Sequence, residues 1–164
     1  MLRQCLSLDS TSAGNNEGEV DAAISKNLCI ATMAAIARDE RGSFEGASVL
    51  VMEGVSSPET AEAMACREGL ALAKDLALQK IRIATDCANV VRSIQGPGMG
   101  PYGHITREIK AGVATFMEAE VIHESRKLNE EAHSLAKSSI YNSVGRHVWL
   151  LSPPNVVCTG QPDI

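Results

Sequence analysis

The chain has 164 residues, of which 45% are hydrophobic and 21% charged. That is enough for one domain with a true core, and no stretch approaches the roughly 20 apolar residues of a membrane-spanning helix. The net charge of −5 excludes a strongly basic, non-specific coat for nucleic acid, but leaves room for a local basic strip or an acidic site that works through metal ions.

Residues 1–18 are polar and rich in Ser, Gly and Asn, and are expected to form a disordered lead. The beginning, "MLRQCLSLDSTSAGNNEGE", has no apolar run of the kind a secretory signal needs. The acids Asp9, Glu17 and Glu19 speak against a transit peptide. The five cysteines are scattered and form no CxxC pair, which disfavours zinc and thioredoxin-like readings. A reducing intracellular compartment is expected, nuclear or cytoplasmic, with an organelle as the alternative.

The domain is expected over 19–151. "EVDAAIS" reads as a first short strand. "CIATMAAIARD" is a longer second strand, and "RDERG" has the acid-and-glycine chemistry of a turn. "SFEGASVLVME" returns as a third, which makes an antiparallel meander. "SSPETAEAMACREGLALAKDLAL" is the clearest helix. Ser57 suits its N-cap and Pro58 its first position, and the Ala- and Leu-rich run has high helix propensity. "KIRIATD" is a fourth strand. "CANVVRSIQ" is a short helix closed by "GPGMGP". "YGHITREIKAGVATFM" places Ile105, Ile109, Val113 and Phe116 at helical spacing. "AEVIHES" is a fifth strand, and "NEEAHSLAKSSIYNSV" a last helix. The flexible tail is expected over 152–164, where "SPPNVVCTGQPDI" carries three prolines. The order βββαβααβα implies parallel crossovers added to the meander. The fold class is therefore α/β: a five-stranded mixed sheet, three antiparallel strands then two parallel ones, flanked by helices.

Three acids sit where folds tolerate them poorly. Asp21 interrupts an apolar strand, and a buried Asp is costly without partners; the plain alternative is an edge strand with Asp21 facing water. Glu62 shares a helix side with Cys66, Gly69, Ala73 and Leu76 at about 100° per residue. That side is small and suited to close approach to a sheet. Glu62 either serves the helix dipole in solvent or points across the sheet end. Asp86 ends the fourth strand and opens the next helix. It is either a simple N-cap or an acid at the C-terminal end of a strand, where α/β folds place chemistry. Together the three can converge at one end of the sheet. Clustered carboxylates repel and call for cations, and oxygen ligands of this type suit Mg²⁺ or Mn²⁺.

The pieces "VDAAIS", "AAIARDERGSF", "AEAMACREGLALA", "IATDCANVV" and "HESRKLNEEAHSLAK", in this order over about Val20 to Leu150, resemble the RNase H-like superfamily. The likeness is greatest to its plant-type, reverse-transcriptase-associated RNase H domains. The resemblance implies an RNase H fold and a metal-dependent endonuclease that cleaves the RNA strand of RNA–DNA hybrids. It implies two divalent ions, Mg²⁺ or Mn²⁺, with Asp21, Glu62 and Asp86 as catalytic, metal-binding carboxylates. Catalytic relatives carry a fourth acid on the last helix, in a motif of the form N-x-x-A/C-D. Here the motif reads "NEEAH", so His133 takes the fourth catalytic and metal-binding place. Mg²⁺ prefers oxygen, which puts the second ion in doubt. Glu130 and Glu131 are expected to face solvent.

Substrate contacts are expected from Asn89, three residues after Asp86, and from Arg126 and Lys127 in the turn before the last helix, with Arg38 a further basic candidate. His123, at the end of the fifth strand, is either a solvated strand-end residue or an aid to proton transfer. "GPGMGP" occupies the place of the basic insertion of some bacterial relatives and carries no charge. The expected partner is nucleic acid, an RNA–DNA hybrid, with no membrane, and the chain is expected to be a monomer. The alternative is a catalytically weakened or inactive module that binds nucleic acid or protein, such as a remnant of a mobile element.

Overall fold

Runs of Ala, Val, Ile and Met with few breakers favour buried strands, and the computed structural model, which describes residues 15–158, forms three of them into a meander. Strand β1 (Asn16–Ser25) pairs antiparallel with β2 (Ile30–Arg38), and β2 with β3 (Phe44–Glu53). The turn between β2 and β3 is held by Asp39, whose Oδ1 accepts from the backbone N–H groups of Arg41 and Ser43, both at 2.9 Å. Gly42 has φ +79°, the left-handed conformation that a glycine adopts without strain.

Two crossovers extend the sheet on the other side. Strand β4 (Lys80–Thr85) pairs parallel with β1, and β5 (Glu118–His123) parallel with β4. Helix α1 (Pro58–Asp75) makes the first crossover. Its N-cap Ser57 accepts from Thr60 N, and Pro58 stands in its first turn, as the sequence suggests. Helices α2 (Ala88–Gln95) and α3 (Gly103–Val113) make the second. Helix α4 (Glu130–Ser138) follows a short 3₁₀ turn, Arg126–Asn129.

The sheet has six strands, not the five expected. The additional strand, β6 (Gly145–Trp149), pairs antiparallel with β3, giving the order β5-β4-β1-β2-β3-β6. The last predicted helix therefore ends early. Helix α4 stops at Ser138, passes through a 3₁₀ turn at Ser139–Tyr141, and the chain turns into β6 at Gly145, with φ +127°. "GRHVW" is too short and mixed to show a strand period. Its pairing rests on tertiary contacts: Arg146 forms 2.6 Å ion pairs with Asp75 and with the buried Glu68, both on α1.

The two faces of the sheet have separate cores. On one, α1 packs Ala61, Ala65, Leu72 and neighbours against Val20, Met33 and Ile83. On the other, Ala132, Leu135 and Ala136 of α4 meet Ala34, Ile36, Val49 and Val51. Strand β1 begins at Asn16, inside the stretch expected as the lead, and residues 1–14 of that stretch lie outside the described part. Two residues of the stretch expected as the tail contact the α4 side of the sheet. Val157 is buried with the α4 core, and Cys158 is held by Glu131 and Arg38.

Gly69 carries the small helix side seen in the sequence. A Cβ there would lie 2.8 Å from Val20 Cγ1 and 3.2 Å from Ile83 Cδ1. Gly69→Ala would gain about 1 kcal/mol of helix propensity and lose about 1–3 kcal/mol to overpacking. A net loss of about 1 kcal/mol is expected in urea unfolding, and an unchanged or higher midpoint would show that α1 can move off the sheet.

Candidate metal centre

Asp21 is not on an edge. Strand β1 lies in the interior of the sheet, and Asp21 is only 2% exposed. Strand alternation places it on the side of Glu19 and Ala23, toward α4, and its Oδ2 lies 2.7 Å from Nδ1 of His133. Glu62, in the second turn of α1, approaches the same strand. Its Oε1 accepts from the Ala22 backbone N–H at 3.3 Å, while its buried Oε2 has no partner. Asp86 follows β4 and is not a helix cap. The N-cap of α2 is Cys87, which makes no side-chain capping bond. The carboxylate of Asp86 is thus available to the sheet end.

Asp21, Glu62 and Asp86 each bring one oxygen within 4.8 Å of the others. Burial and the neighbouring carboxylates raise the proton affinity of Glu62 and Asp86. Burial, and then the nearby carboxylate of Asp21, push Glu62 up to about 9, with Asp86 adding to the effect. Asp86 is also raised, first by burial and then by Asp21, against the pull of Arg126, His133 and His123. Such a group favours neutralisation by a proton or a cation. An unpartnered buried oxygen and three carboxylates from three elements fit a hard divalent cation, and Asp21, Glu62 and Asp86 would hold it.

The remaining predicted residues separate. His133 stands at the border of the α4 stripe as expected, against Asp21, with its side chain 34% exposed. Arg126 reaches over the cluster, with Nε 3.9 Å from Asp86 Oδ2 and Nη2 3.5 Å from His133 Nδ1. Lys127 is exposed in the same 3₁₀ turn, and His123 is exposed at the end of β5. Asn89 is engaged elsewhere, in a surface group with Glu59 and Arg92. Arg38 is not a free basic rim. It bonds both carboxylate oxygens of Glu131, at 2.8 and 3.0 Å, as well as the carbonyls of Gly42 and Cys158. Glu131 therefore does not simply face solvent, because it also accepts from Cys158 N at 2.8 Å.

The residues that set α4 against β1 and β2 carry little signal in the sequence. Fully buried Asn129 donates from Nδ2 to the Val20 carbonyl at 2.6 Å. Thr32 donates to the Ala136 carbonyl at 2.6 Å. The only sequence signal was the Asn that opens "NEEAH".

A family model described as reverse transcriptase-like matches residues 19–139. The chain belongs to the reverse transcriptase-like family. Solved RNase H domains share this fold, and the chain has the RNase H-like fold. The N-terminal RNase H domain of a Mycobacterium tuberculosis protein, solved as a maltose-binding-protein fusion, is 20% identical. The match covers 79% of this chain and 94% of that one, with a TM-score of 0.69. RNase H1 of Halobacterium salinarum is also 20% identical, over 79% and 100% of the two chains, with a TM-score of 0.67. LC11-RNase H1, isolated from compost and solved in complex with an RNA/DNA hybrid, is 19% identical over 76% and 96%, with a TM-score of 0.66. No curated protein matches the chain.

The raised affinity of Glu62 for a proton makes the stability of the metal-free protein depend on pH. Its carboxyl titrates near 4.5 when unfolded and near 9 when folded. Between those values the folded state holds the extra proton, so stability is full below about 4.5 and falls as pH rises toward about 9. In chelator-treated protein, Tm is expected to fall across that window, and Glu62→Gln to flatten the fall. Parallel wild-type and variant curves would remove Glu62 as the source.

Proposed function

We propose that the protein is a divalent-metal-dependent endonuclease that hydrolyses the RNA strand of RNA–DNA hybrids. The observation that carries this reading is the convergence of Asp21, Glu62 and Asp86 within 4.8 Å, with a buried oxygen of Glu62 left unpartnered. The fold shared with LC11-RNase H1, whose structure holds an RNA/DNA hybrid, supports the substrate class.

Asp21, Glu62 and Asp86 would hold Mg²⁺ or Mn²⁺. Such an ion, when bound, supplies an activated water and charge stabilisation at a phosphodiester. His133 would keep Asp21 oriented. Arg126 and Lys127, exposed beside the cluster, would meet backbone phosphates, a positioning contact that carries no sequence information. Asn89 would join them by exchanging its bonds to Glu59 and Arg92 for the substrate. Among the described residues no helix is long and apolar enough to cross a membrane. Cys29, Cys66, Cys87 and Cys158 are free thiols, which supports a reducing compartment.

A second reading, a binding module without turnover, is favoured by the uncharged "GPGMGP" segment and by the imidazole in the fourth corner. Cleavage of an end-labelled hybrid, with matched RNA and DNA duplexes as controls, separates the two. In Mg²⁺ or Mn²⁺ the wild type is expected to cut the hybrid, and Asp86→Asn to lose more than about a hundredfold of the rate. Binding without cleavage beyond that of Asp86→Asn would establish the second reading.

A further inference from the structure

The fourth corner of the cluster is filled in a way that bears on how many ions it can hold. A pair of divalent ions at one phosphodiester sits roughly 3.5–4 Å apart, and ions that close need ligands shared between them. Asp21 is the central carboxylate here, and one of its two oxygens is already committed. The 2.7 Å contact between Asp21 Oδ2 and His133 Nδ1 needs a proton between the two atoms. With Asp21 ionised, His133 is the donor, and Nδ1 then has no lone pair to give a metal.

The guanidinium of Arg126 adds to this. Its Nη2 lies 3.5 Å from the same Nδ1, and its Nε 3.9 Å from Asp86 Oδ2. A permanent positive charge therefore stands beside His133 and Asp86, and it repels a further cation brought that close. Among the described residues, Asp21, Glu62 and Asp86 form the group of three side chains close enough to share an ion, and His133 is not part of it.

We propose that this chain holds a single divalent ion, in the nest of Asp21, Glu62 and Asp86, and that His133 is a positioning residue that orients Asp21 by donating from Nδ1 instead of binding a second ion. The proposal rests on the cluster being a cation site, and not on which nucleic acid is cut. The donation fixes the carboxylate of Asp21 beside those of Glu62 and Asp86. Bonds from partners of ligating side chains typically change metal affinity by about 10–100-fold.

The test is a count of bound Mn²⁺ on the full chain after chelation, by electron paramagnetic resonance and calorimetry, with circular dichroism to confirm that each variant folds. The wild type is expected to bind one ion. His133→Asn, whose Nδ2–H stands in for Nδ1–H, should also bind one, with affinity within a few-fold of wild type. His133→Ala should bind one ion about tenfold more weakly or worse. His133→Asp, which puts an oxygen ligand in the corner, should take up a second ion. Two ions in the wild type, or an Ala variant with unchanged affinity, overturns the proposal. Absence of any bound ion overturns it together with the cation site. One ion without hybrid cleavage supports it and defeats only the nuclease reading.

Discussion

A carboxylate in the middle of a sheet is the constraint on which the rest of this structure depends. Asp21 lies on an interior strand and is almost fully buried. Water cannot solvate it there, and an unpaired charge in such a place is prohibitively costly. The fold must therefore bring partners to it. His133 arrives from α4 on one side, and Glu62 reaches the adjoining backbone from α1. Asp86 comes from the end of β4. The result satisfies Asp21 but gathers negative charge, and burial together with that gathering raises the proton affinities of Glu62 and Asp86.

The partners can reach Asp21 only if the helices are set accurately. Gly69 lets α1 lie close over Val20 and Ile83. Asn129 ties the start of α4 to the Val20 carbonyl, one residue before Asp21, and Thr32 ties its later part to β2. Both bonds are buried, where an unmade hydrogen bond is expensive, so they hold α4 in one position. His133 then faces Asp21 as a consequence of backbone placement. The Arg38–Glu131–Cys158 group clasps the last described residues to the same helix.

The meander, its Asp39 turn, the capped α1 and the two parallel crossovers were legible because each rests on local chemistry. Apolar runs, a Ser-Pro start and a turn acid act over a few residues. Strand β6 was hidden because "GRHVW" has no period of its own, and its reason for being a strand is the edge of β3 and the carboxylates of Glu68 and Asp75 on a distant helix. Asp21 was recognised as anomalous, but whether it faced water depended on strand order. Arg38 and Asn89 looked like open contacts because a sequence shows a charge or an amide without showing what already binds it.

The sequence by itself determined the kinds of element, the family to which they belong, and the three acids that could serve as a site. Those properties follow from short-range periodicity, capping and the order of motifs along the chain. Only the tertiary structure decided that β1 is interior, that Glu62 keeps one oxygen without a partner, and that the Nδ1 of His133 is engaged by Asp21. The physical reason is that these are matters of solvation and pairing between groups 40 to 112 residues apart, and no local pattern encodes which of two distant polar atoms will meet once water is gone.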